Sequence, residues 1–403
     1  MTKNGRLRRR RLILFGLLGS VGGGYAYLQQ PKFGAPPDGE EMTLLRNSPH
    51  YRDGRFQNLI PTPVLAEDSN VVSALFSSLT TRGERLRPET PIPVLKTDLK
   101  ALDRRADGVV WFGHFSCFVQ LAGQRILIDP VFSTYAAPVP FANRAFDGTN
   151  VYSADDMPEI DCLLITHDHW DHLDHASVTA LEPKTRRVVT PLGVGTYFEQ
   201  WGYAREKIRE ADWFAAIETH ADLRIHALPA RHFSGRLLIR NRTQWAGFAL
   251  ETPQRRIFLS GDSGYGSHFA EIGRRLGGFD LAILDSGQYD RRWPYVHMAP
   301  EEAAHAAGEL GAKALLPAHI GRFAIAKHPW DEPFKRIVAA SEGKNFRLLT
   351  PMIGQPVMLD GPAQSFGPWW EEVDKKPGET QKMEKVSDAR YLVQSTTNQG
   401  DPQ

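Results

Sequence analysis

The sequence predicts an α/β fold in which helices cover β-sheets. Short apolar runs with strand character recur from Val109 onward, and several of them end at polar residues. Two stretches with helical periodicity, His268–Leu276 and Pro300–Leu310, alternate with the later runs. Pro300, followed by two glutamates, is typical of a first helical turn. Strands mixed with helices in this order indicate sheets packed under helices.

The strand predictions begin with a hairpin. Val109–Leu121 and Arg125–Asp129 are predicted to be strands joined at Ala122-Gly123-Gln124, a typical hairpin connection. The further runs predicted to be strands are Asp161–Thr166, Arg187–Thr190, Leu223–Leu228, Trp245–Leu250, Arg256–Ser260 and Leu281–Asp285.

The amino terminus, residues 1–30, is predicted to be a secretion signal or a membrane anchor. Basic residues without any acid, Lys3, Arg6 and 8–11, precede or begin an apolar run from Leu12 to Leu28. Because arginines before such a run favour the cytoplasmic side, the body of the protein is expected to be extracytoplasmic. The alternative is a disordered basic leader on a cytosolic protein.

The rest of the chain divides into three parts. Residues 31–107 are rich in Pro, Arg and Asp and are predicted to form an arm or cap packed on the main domain. Residues 108–360 are predicted to be that main domain. Residues 361–403 are polar and end in TTNQGDPQ, which predicts a loose C-terminal tail.

Composition and charge narrow the class of protein. Of 403 residues, 41% are hydrophobic and 24% are charged, which is sufficient for a packed core. The net charge is +1, and because residues 1–30 carry +6, the remainder carries −5. This remainder has no basic excess, so a nucleic-acid partner is not expected. Cys117 and Cys162 lie in apolar runs and are predicted to be buried free thiols.

The stretch LLITHDHWDHLDH, Leu163–His175, contains four histidines and three aspartates. Within it, His167-x-His169-x-Asp171-His172 follows an apolar strand. Residues i and i+2 of an extended segment point to the same side, so His167 and His169 can hold one ion together. If the chain then turns into a helix, Asp171 and His172 can reach a second site beside the first. Imidazole and carboxylate are suitable ligands for zinc, so the pattern predicts metal binding, with iron and manganese as alternatives.

This motif resembles that of the metallo-β-lactamase fold superfamily. The resemblance implies a four-layer αβ/βα sandwich with the site at one edge of its two sheets. It also implies three further metal ligands from distant segments. Candidates follow in the expected order, each at a strand end: His232 in LPARHFSGR, Asp262 in IFLSGDSGYG and His319 in ALLPAHIGRF.

By this resemblance the chain would bind two zinc ions. Asp262 would bridge them, and the other ligands would be His167, His169 and His232 for one ion and Asp171, His172 and His319 for the other. Metal binding lowers the pKa of water from 15.7 to about 7, so a hydroxide bridging the metals would be the nucleophile. The neighbouring residues Asp168, Asp174 and His175 are predicted to be supporting residues.

The flanking segments are similar to one branch of the superfamily, the N-acyl-phosphatidylethanolamine-hydrolysing phospholipases D and their bacterial relatives. The similarity runs from about Asp107 to Leu359 and includes VHMAPEE and AHIGRFAIAKHPWDEP. Phe115 in GHFSC departs from the branch, where small or polar residues are more usual. The implied activity is hydrolysis of a phosphodiester in a glycerophospholipid, which releases phosphatidic acid and an N-acylethanolamine. The implied partners are a phospholipid substrate, a membrane and a second copy of the chain in a homodimer.

Substrate contacts are predicted for His297, Gln288 and Tyr289. His297 in VHMAPEE matches a histidine of the branch and is predicted to bind the substrate phosphate or to act in acid–base catalysis together with the catalytic Asp262. The alternative for His297 is a structural role before the following helix. Gln288 and Tyr289 are predicted to line the pocket, with a surface loop as the alternative. His328 also matches the branch, where it would bind near the site or stabilise the loop after His319.

Two other functions are consistent with these residues. The same metal centre serves lactonases, β-lactam hydrolases and phosphodiesterases that act on small soluble substrates, so the fold cannot decide between them. A membrane-tethered structural or regulatory protein with a silent site belongs to another class. The presence of all seven candidate ligands argues against a silent site.

Overall fold

The computed structural model describes residues 22–39, 41–66, 83–219, 222–236 and 239–375. A helical segment spans residues 22–28, whereas the predicted basic cluster and the start of the apolar run lie outside the described residues. None of the helices in these ranges is long and apolar enough to cross a membrane. Residues 376–403 of the predicted tail also lie outside the described part.

The predicted arm contributes a short helix and a small hairpin. Helix α1 spans Glu41–Arg46, and strands β1 (Tyr51–Arg52) and β2 (Arg55–Phe56) pair in antiparallel fashion. Apolar side chains of the arm are buried in the main core, among them Met42, Leu45 and Phe56.

Two mixed sheets of seven strands each form the centre of the molecule. The first sheet contains β3 (Gly108–Trp111), β4 (Cys117–Leu121), β5 (Gln124–Ile128), β6 (Cys162–Leu164), β7 (Val188–Pro191) and β8 (Ile208–Ala211). The second contains β9 (Ala216–Glu218), β10 (Arg224–Leu228), β11 (Gly247–Glu251), β12 (Arg256–Leu259), β13 (Leu281–Asp285), β14 (Ala314–Ala318) and β15 (Arg347–Leu348). The last strand, β16 (Pro356–Met358), returns to the first sheet and pairs with β3.

Helices cover the outer face of each sheet. The first sheet is covered by α2 (His175–Leu181) and α3 (Gly195–Gln200), and the second by α4 (His268–Leu276), α5 (Pro300–Glu309) and α6 (Glu332–Ser341). The 3-10 turns are Pro31–Phe33, Ala154–Asp156, Glu182–Lys184, Arg205–Lys207 and Trp369–Glu371.

Three buried apolar clusters show that the layers are helix, sheet, sheet and helix. Successive side chains of a strand point to opposite faces. In β4, Val119 therefore joins the cluster between the sheets, whereas Phe118 packs under α2 and α3. A third cluster, with Phe258 and Ala282, lies between the second sheet and its helices. The predicted four-layer sandwich is confirmed.

The strand directions place several strand ends at one edge of the molecule. Strands β5 to β8 are mutually parallel, and so are β12 to β15. Ligands of open α/β sheets bind beyond the carboxyl ends of such strands. At this edge the two sheets meet, because His114 N donates to Ile320 O and His319 N donates to His114 O, both at 2.8 Å.

Two predictions about the chain are wrong. The predicted strand Val109–Leu121 is two strands, β3 and β4, because Gly113 (φ 86°) and His114 (φ 55°) reverse the chain between them. The apolar residues on both sides of this turn concealed it. The predicted loose tail begins with an ordered segment, in which Trp369 and Trp370 are buried against Phe334.

Candidate metal centre

The structure brings all seven predicted metal ligands together at the shared edge of the two sheets. His167 to His172 follow β6 of the first sheet, while Asp262 and His319 follow β12 and β14 of the second. His232 comes from the connection after β10. Five of the seven side chains are buried, and His169 and Asp171 are partly buried, with a side-chain exposure of 13% for Asp171.

The first cluster consists of His167, His169, His232 and Asp262. His169 Nδ1 lies 2.9 Å from His167 Nε2 and 3.2 Å from His232 Nε2. Asp262 Oδ2 lies 3.7 Å from His167 Nε2 and 3.6 Å from His232 Nε2. Four donor atoms therefore surround a common point.

The second cluster consists of His114, Asp171, His172 and His319. His319 Nε2 lies 3.4 Å from His172 Nε2 and 3.3 Å from Asp171 Oδ2. Asp262 Oδ1 faces this cluster, at 3.1 Å from His172 Nε2 and 3.4 Å from His319 Nε2. Since Oδ2 of the same carboxylate faces the first cluster, Asp262 lies between the two.

The spacing of the donor atoms fits two metal ions. Ligand atoms about 2.0–2.1 Å from one ion in a tetrahedral zinc site lie roughly 3.4 Å from each other. Asp262 Oδ1 is buried yet makes no well-formed hydrogen bond. A buried carboxylate oxygen without a donor is costly, and a cation between the facing lone pairs of Asp262 and the imidazoles would compensate it.

The pKa values of the imidazoles depend on burial and on the nearby carboxylates. Burial lowers the pKa of His167 and of His232 well below 6.5, so both rings are neutral and can act as ligands. Burial also lowers the pKa of His319, but the carboxylates of Asp262 and Asp285 outweigh it and raise the pKa to about 10. The second cluster therefore lies in a strongly negative potential, which favours a divalent cation.

Hydrogen bonds on the outer side of the rings fix their orientation. His172 Nδ1 donates to Asp129 Oδ2 at 2.8 Å, and His232 Nδ1 donates to Val296 O at 2.8 Å. Thr166 Oγ1 donates to Asp129 Oδ2 and lies 3.0 Å from His167 Nδ1. Each bond leaves the other ring nitrogen directed at a cluster, as in carboxylate–histidine–metal arrangements.

Sequence reasoning missed His114, Asp129 and Asp285. His114 Nε2 is 2.8 Å from Asp171 Oδ2, while burial and the neighbouring His319 lower the pKa of His114 to about 3. Gly113 inside an apparent strand was a signal of a bend at this position. Asp129 and Asp285 both lie at the ends of apolar runs, as Asp262 does, and this position was the only local signal for them.

Three residues of the site that lie after strands have unusual backbone conformations. His114, Asp129 and His319 have φ values of 55°, 41° and 63°. Such values are uncommon in residues other than glycine and often occur at functional sites. The surrounding sheet holds these residues where their side chains face the site.

The residues predicted to support the motif have defined contacts. Asp168 is buried and accepts hydrogen bonds from Gly235 N, Tyr197 Oη and Thr243 Oγ1. It thereby joins the loop of His169 to the loop of His232. Asp174 precedes α2 and accepts from Ser133 N and Ser177 Oγ, and the His175 ring packs on Trp201.

His297 lies beside the two clusters. Its Nδ1 is 2.9 Å from Asp285 Oδ2, and its ring stacks on His319 with centroids 5.0 Å apart. The side chain is 11% exposed, and its Nδ1 also lies 3.9 Å from Asp262 Oδ2, so the ring borders the site. Asp262, Asp285, His297 and His319 also form a group that could hold a metal.

The structure contradicts the prediction that Gln288 contacts substrate. Its Oε1 accepts from Ile325 N and Ala326 N, and its Nε2 donates to His319 O and Phe323 O. With 1% exposure the side chain is fully used in holding the loop after His319.

Tyr289 and His328 support the same loop. The Tyr289 hydroxyl donates to Glu332, and its ring stacks on His328 at 4.5 Å between centroids. His328 Nε2 accepts from Gln288 N. These contacts engage Tyr289 in loop packing rather than in the lining of the metal clusters, so the predicted pocket-lining role is not supported by its surroundings.

We expect the substitution Gln288→Ala to lower the free energy of unfolding by about 3 kcal/mol, because buried backbone groups of the loop lose their partners. Urea unfolding of the metal-loaded protein measures this effect, with the exposed Gln29→Ala as the matched control. If Gln288→Ala keeps the wild-type free energy of unfolding but has a raised KM, the structural role is wrong and Gln288 contacts the substrate.

Comparisons with known proteins agree with this architecture. Residues 124–320 match the β-lactamase superfamily domain. An uncharacterized protein of Mycobacterium tuberculosis is 38% identical over 327 residues, covering 80% of this chain and 87% of that protein. N-acyl-phosphatidylethanolamine-hydrolyzing phospholipase D 1 of Caenorhabditis elegans is 30% identical over 226 residues, covering 53% of this chain and 63% of that protein. A metal-dependent hydrolase of Caldivirga maquilingensis is 29% identical over 218 residues, covering 53% and 82%.

A solved structure shows the same fold. The isothiocyanate hydrolase from gut bacteria of Delia radicum superposes with a TM-score of 0.51 at 18% identity, over 62% of this chain and 98% of that chain. A two-sheet sandwich whose strand ends gather histidines around a shared carboxylate defines a metal-dependent hydrolase. The chain belongs to the β-lactamase superfamily, which confirms the resemblance seen in the HxHxDH motif, and N-acyl-phosphatidylethanolamine-hydrolysing phospholipases D are among its relatives.

Proposed function

We propose that the chain is a hydrolase with two zinc ions that cleaves a phosphodiester bond of N-acyl-phosphatidylethanolamine-type phospholipids. The observation that carries the proposal is the pair of donor clusters on the two sides of Asp262. Two cations at such a spacing can act on a single phosphodiester group. The 30% sequence identity to N-acyl-phosphatidylethanolamine-hydrolyzing phospholipase D 1 of Caenorhabditis elegans supports this class of lipid as the substrate.

The donor set supports zinc as the metal. Both clusters offer imidazole nitrogens and carboxylate oxygens and no thiolate, a combination that zinc accepts readily. Bound there, the ions would supply charge that stabilises the phosphate oxygens and a nucleophile derived from water at neutral pH.

The residues of the chain itself orient these groups and move protons. Asp129, Thr166 and Val296 hold the ligand imidazoles by their outer nitrogens. In this proposal His297, which is bonded to Asp285, protonates the leaving alcohol when the phosphorus–oxygen bond breaks. Hydrolysis then leaves phosphatidic acid and an N-acylethanolamine, with the water oxygen on phosphorus.

The rim of the site has apolar side chains that suit a lipid. Phe233 packs on the rings of His169 and His232 with centroids 4.6 and 4.7 Å apart. Trp170, between two predicted ligands, packs on Phe33 of the arm at 5.4 Å. An amphiphilic substrate could place its acyl chains along such a rim while its phosphate enters the buried clusters.

The N-terminal segment reaches this rim, because the Tyr27 ring packs on Phe33 with the ring centroids 5.5 Å apart, and this contact supports a membrane-anchored protein. Tyr27 and Lys32 both donate to Pro138 O, on the loop where the Phe141 side chain is 83% exposed. We propose that residues 1–30 anchor the chain with its site close to the bilayer and its body extracytoplasmic. Alkaline phosphatase fused after residue 403 should be active, because this reporter folds only outside the cytoplasm. If that fusion is inactive and a green fluorescent protein fused at the same position is fluorescent, the body lies in the cytoplasm and the proposed orientation is wrong.

A lipid assay tests the substrate. Full-length protein in mixed micelles, loaded with Zn²⁺, should release N-acylethanolamine and phosphatidic acid from N-acylated phosphatidylethanolamine, and a chelator should stop the release. Unacylated phosphatidylethanolamine, a lactone and a β-lactam serve as parallel substrates. If the metal-loaded protein leaves the lipid intact but opens the lactone, the phospholipase proposal is wrong and the soluble-substrate hydrolase is favoured.

A further inference from the structure

The N-terminal arm contacts the metal centre directly at Asn58. Asn58 Nδ2 donates to His232 O at 2.7 Å, and Asn58 Oδ1 accepts from His232 N at 3.1 Å. A single side-chain amide thus satisfies both backbone groups of one candidate metal ligand. His232 is 1% exposed, so water does not offer these groups an alternative partner.

The contact is part of a longer line of hydrogen bonds between the arm and the loop of His232. Phe56 N donates to Asn241 O at 2.8 Å. On the other side of Asn58, Arg231 Nε donates to Thr62 Oγ1 at 3.1 Å. The arm segment 56–62 therefore lies along the loop on both sides of the ligand.

The loop needs such external support. It connects β10 with β11, and its described residues, 229–236 and 239–246, contain no helix or strand. The other ligands follow directly on strands or on the turn after β6. A ligand on a long irregular connection has no regular backbone ladder to fix its position.

We propose that Asn58 is a positioning residue for His232, so that the arm is an integral part of the metal centre. The proposal rests on the metal-binding part of the proposed function and is independent of the lipid substrate. Asn58 fixes the backbone of His232, Val296 O fixes its Nδ1, and together they direct Nε2 toward Asp262 Oδ2. Loss of residues that orient metal ligands typically weakens metal binding by about 10–100-fold.

The test compares the full-length variants Asn58→Ala and Asn58→Gln with the wild type. Metal affinity is measured by chelator competition with Zn²⁺, and the visible absorption of the Co²⁺-loaded protein reports the ligand geometry. Asn58→Ala should bind one of its two ions about 10–100-fold more weakly and change the Co²⁺ spectrum. Asn58→Gln keeps a donor and an acceptor and should lose less affinity than Asn58→Ala.

Asn47→Ala, an exposed asparagine of the same arm, is the matched control and should resemble the wild type. Thermal unfolding of the chelated proteins separates positioning from folding, because a positioning residue leaves the metal-free Tm nearly unchanged. The proposal is overturned if Asn58→Ala keeps wild-type affinities and spectrum, or if both ions weaken in step with a lowered metal-free Tm. Failure of the metal-binding function itself would appear earlier, as a wild-type protein that binds no Zn²⁺.

Discussion

The substitution Asp262→Asn is expected to lower kcat/KM by about 10³-fold while the fold is retained. The carboxylate lies between the two clusters, with Oδ1 3.1 Å from His172 Nε2 and Oδ2 3.6 Å from His232 Nε2. Asparagine has nearly the same shape, but it removes the shared negative charge and places N–H donors against one cluster. Metal-ion catalysis contributes several kcal/mol, which corresponds to about three powers of ten in rate.

The charge of Asp262 is already stabilised by the protein. Burial alone would raise the pKa of this carboxyl, but the imidazoles of His172 and His319 outweigh it and hold the pKa well below its usual range. The ionised form is therefore the one that both clusters require. In Asp262→Asn, no carboxylate remains at the position between the two clusters, although the second cluster still contains Asp171.

Elemental analysis and steady-state kinetics measure the outcome together. We expect fewer bound metal ions per chain and a matching loss of turnover, whereas the exposed Asp155→Asn, with the same change of charge, should behave as the wild type. Near-ultraviolet circular dichroism verifies the packing. Full activity in Asp262→Asn would exclude a bridging role for this residue.

The parts of the site that the sequence predicted are those that follow strand ends. His167 and His169 follow β6, and Asp262 and His319 follow strands of the second sheet. An apolar run that ends in a polar residue is a local feature, and parallel strands bring their carboxyl ends together. The spacing of the motif was sufficient for His167 and His169, whereas the resemblance to the superfamily selected Asp262 and His319 among the polar residues at strand ends.

The parts that were not predicted depend on contacts between distant residues or on conformations hidden in apolar runs. His114 lies in a left-handed turn between β3 and β4, and the flanking apolar residues resembled one continuous strand. Asn58 contacts His232 across 174 positions of the chain, and nothing in its local sequence marks it. Gln288 was misassigned because sequence proximity to site segments does not reveal where a side chain points.

Phe115 shows how packing gives a meaning to an unusual residue. It is fully buried, and its ring centroid is 5.8 Å from that of His172. An apolar ring at this place forms part of the dry wall behind the second cluster. Such a wall excludes water and strengthens electrostatic interactions within the site.

The substitution His297→Ala is expected to lower kcat on N-acylated phosphatidylethanolamine by about 10²–10⁴-fold, with metal content and Tm unchanged. His297 is oriented by Asp285 and stacks on His319, but its remaining nitrogen has no fixed partner among the candidate ligands. An imidazole with these contacts can donate a proton to a departing alkoxide, which is a poor leaving group without protonation.

A change of leaving group distinguishes this role from metal binding. With bis(p-nitrophenyl) phosphate the departing phenolate needs no proton, so His297→Ala should lose less than about tenfold in rate. The exposed His305→Ala on α5, 60% exposed, is the matched control and should leave both substrates unaffected. An equal loss on both substrates would assign His297 to phosphate binding. A loss of bound metal would instead show that His297 holds metal, either as a ligand within the group of Asp262, Asp285 and His319 or by orienting His319, and it would contradict the acid role.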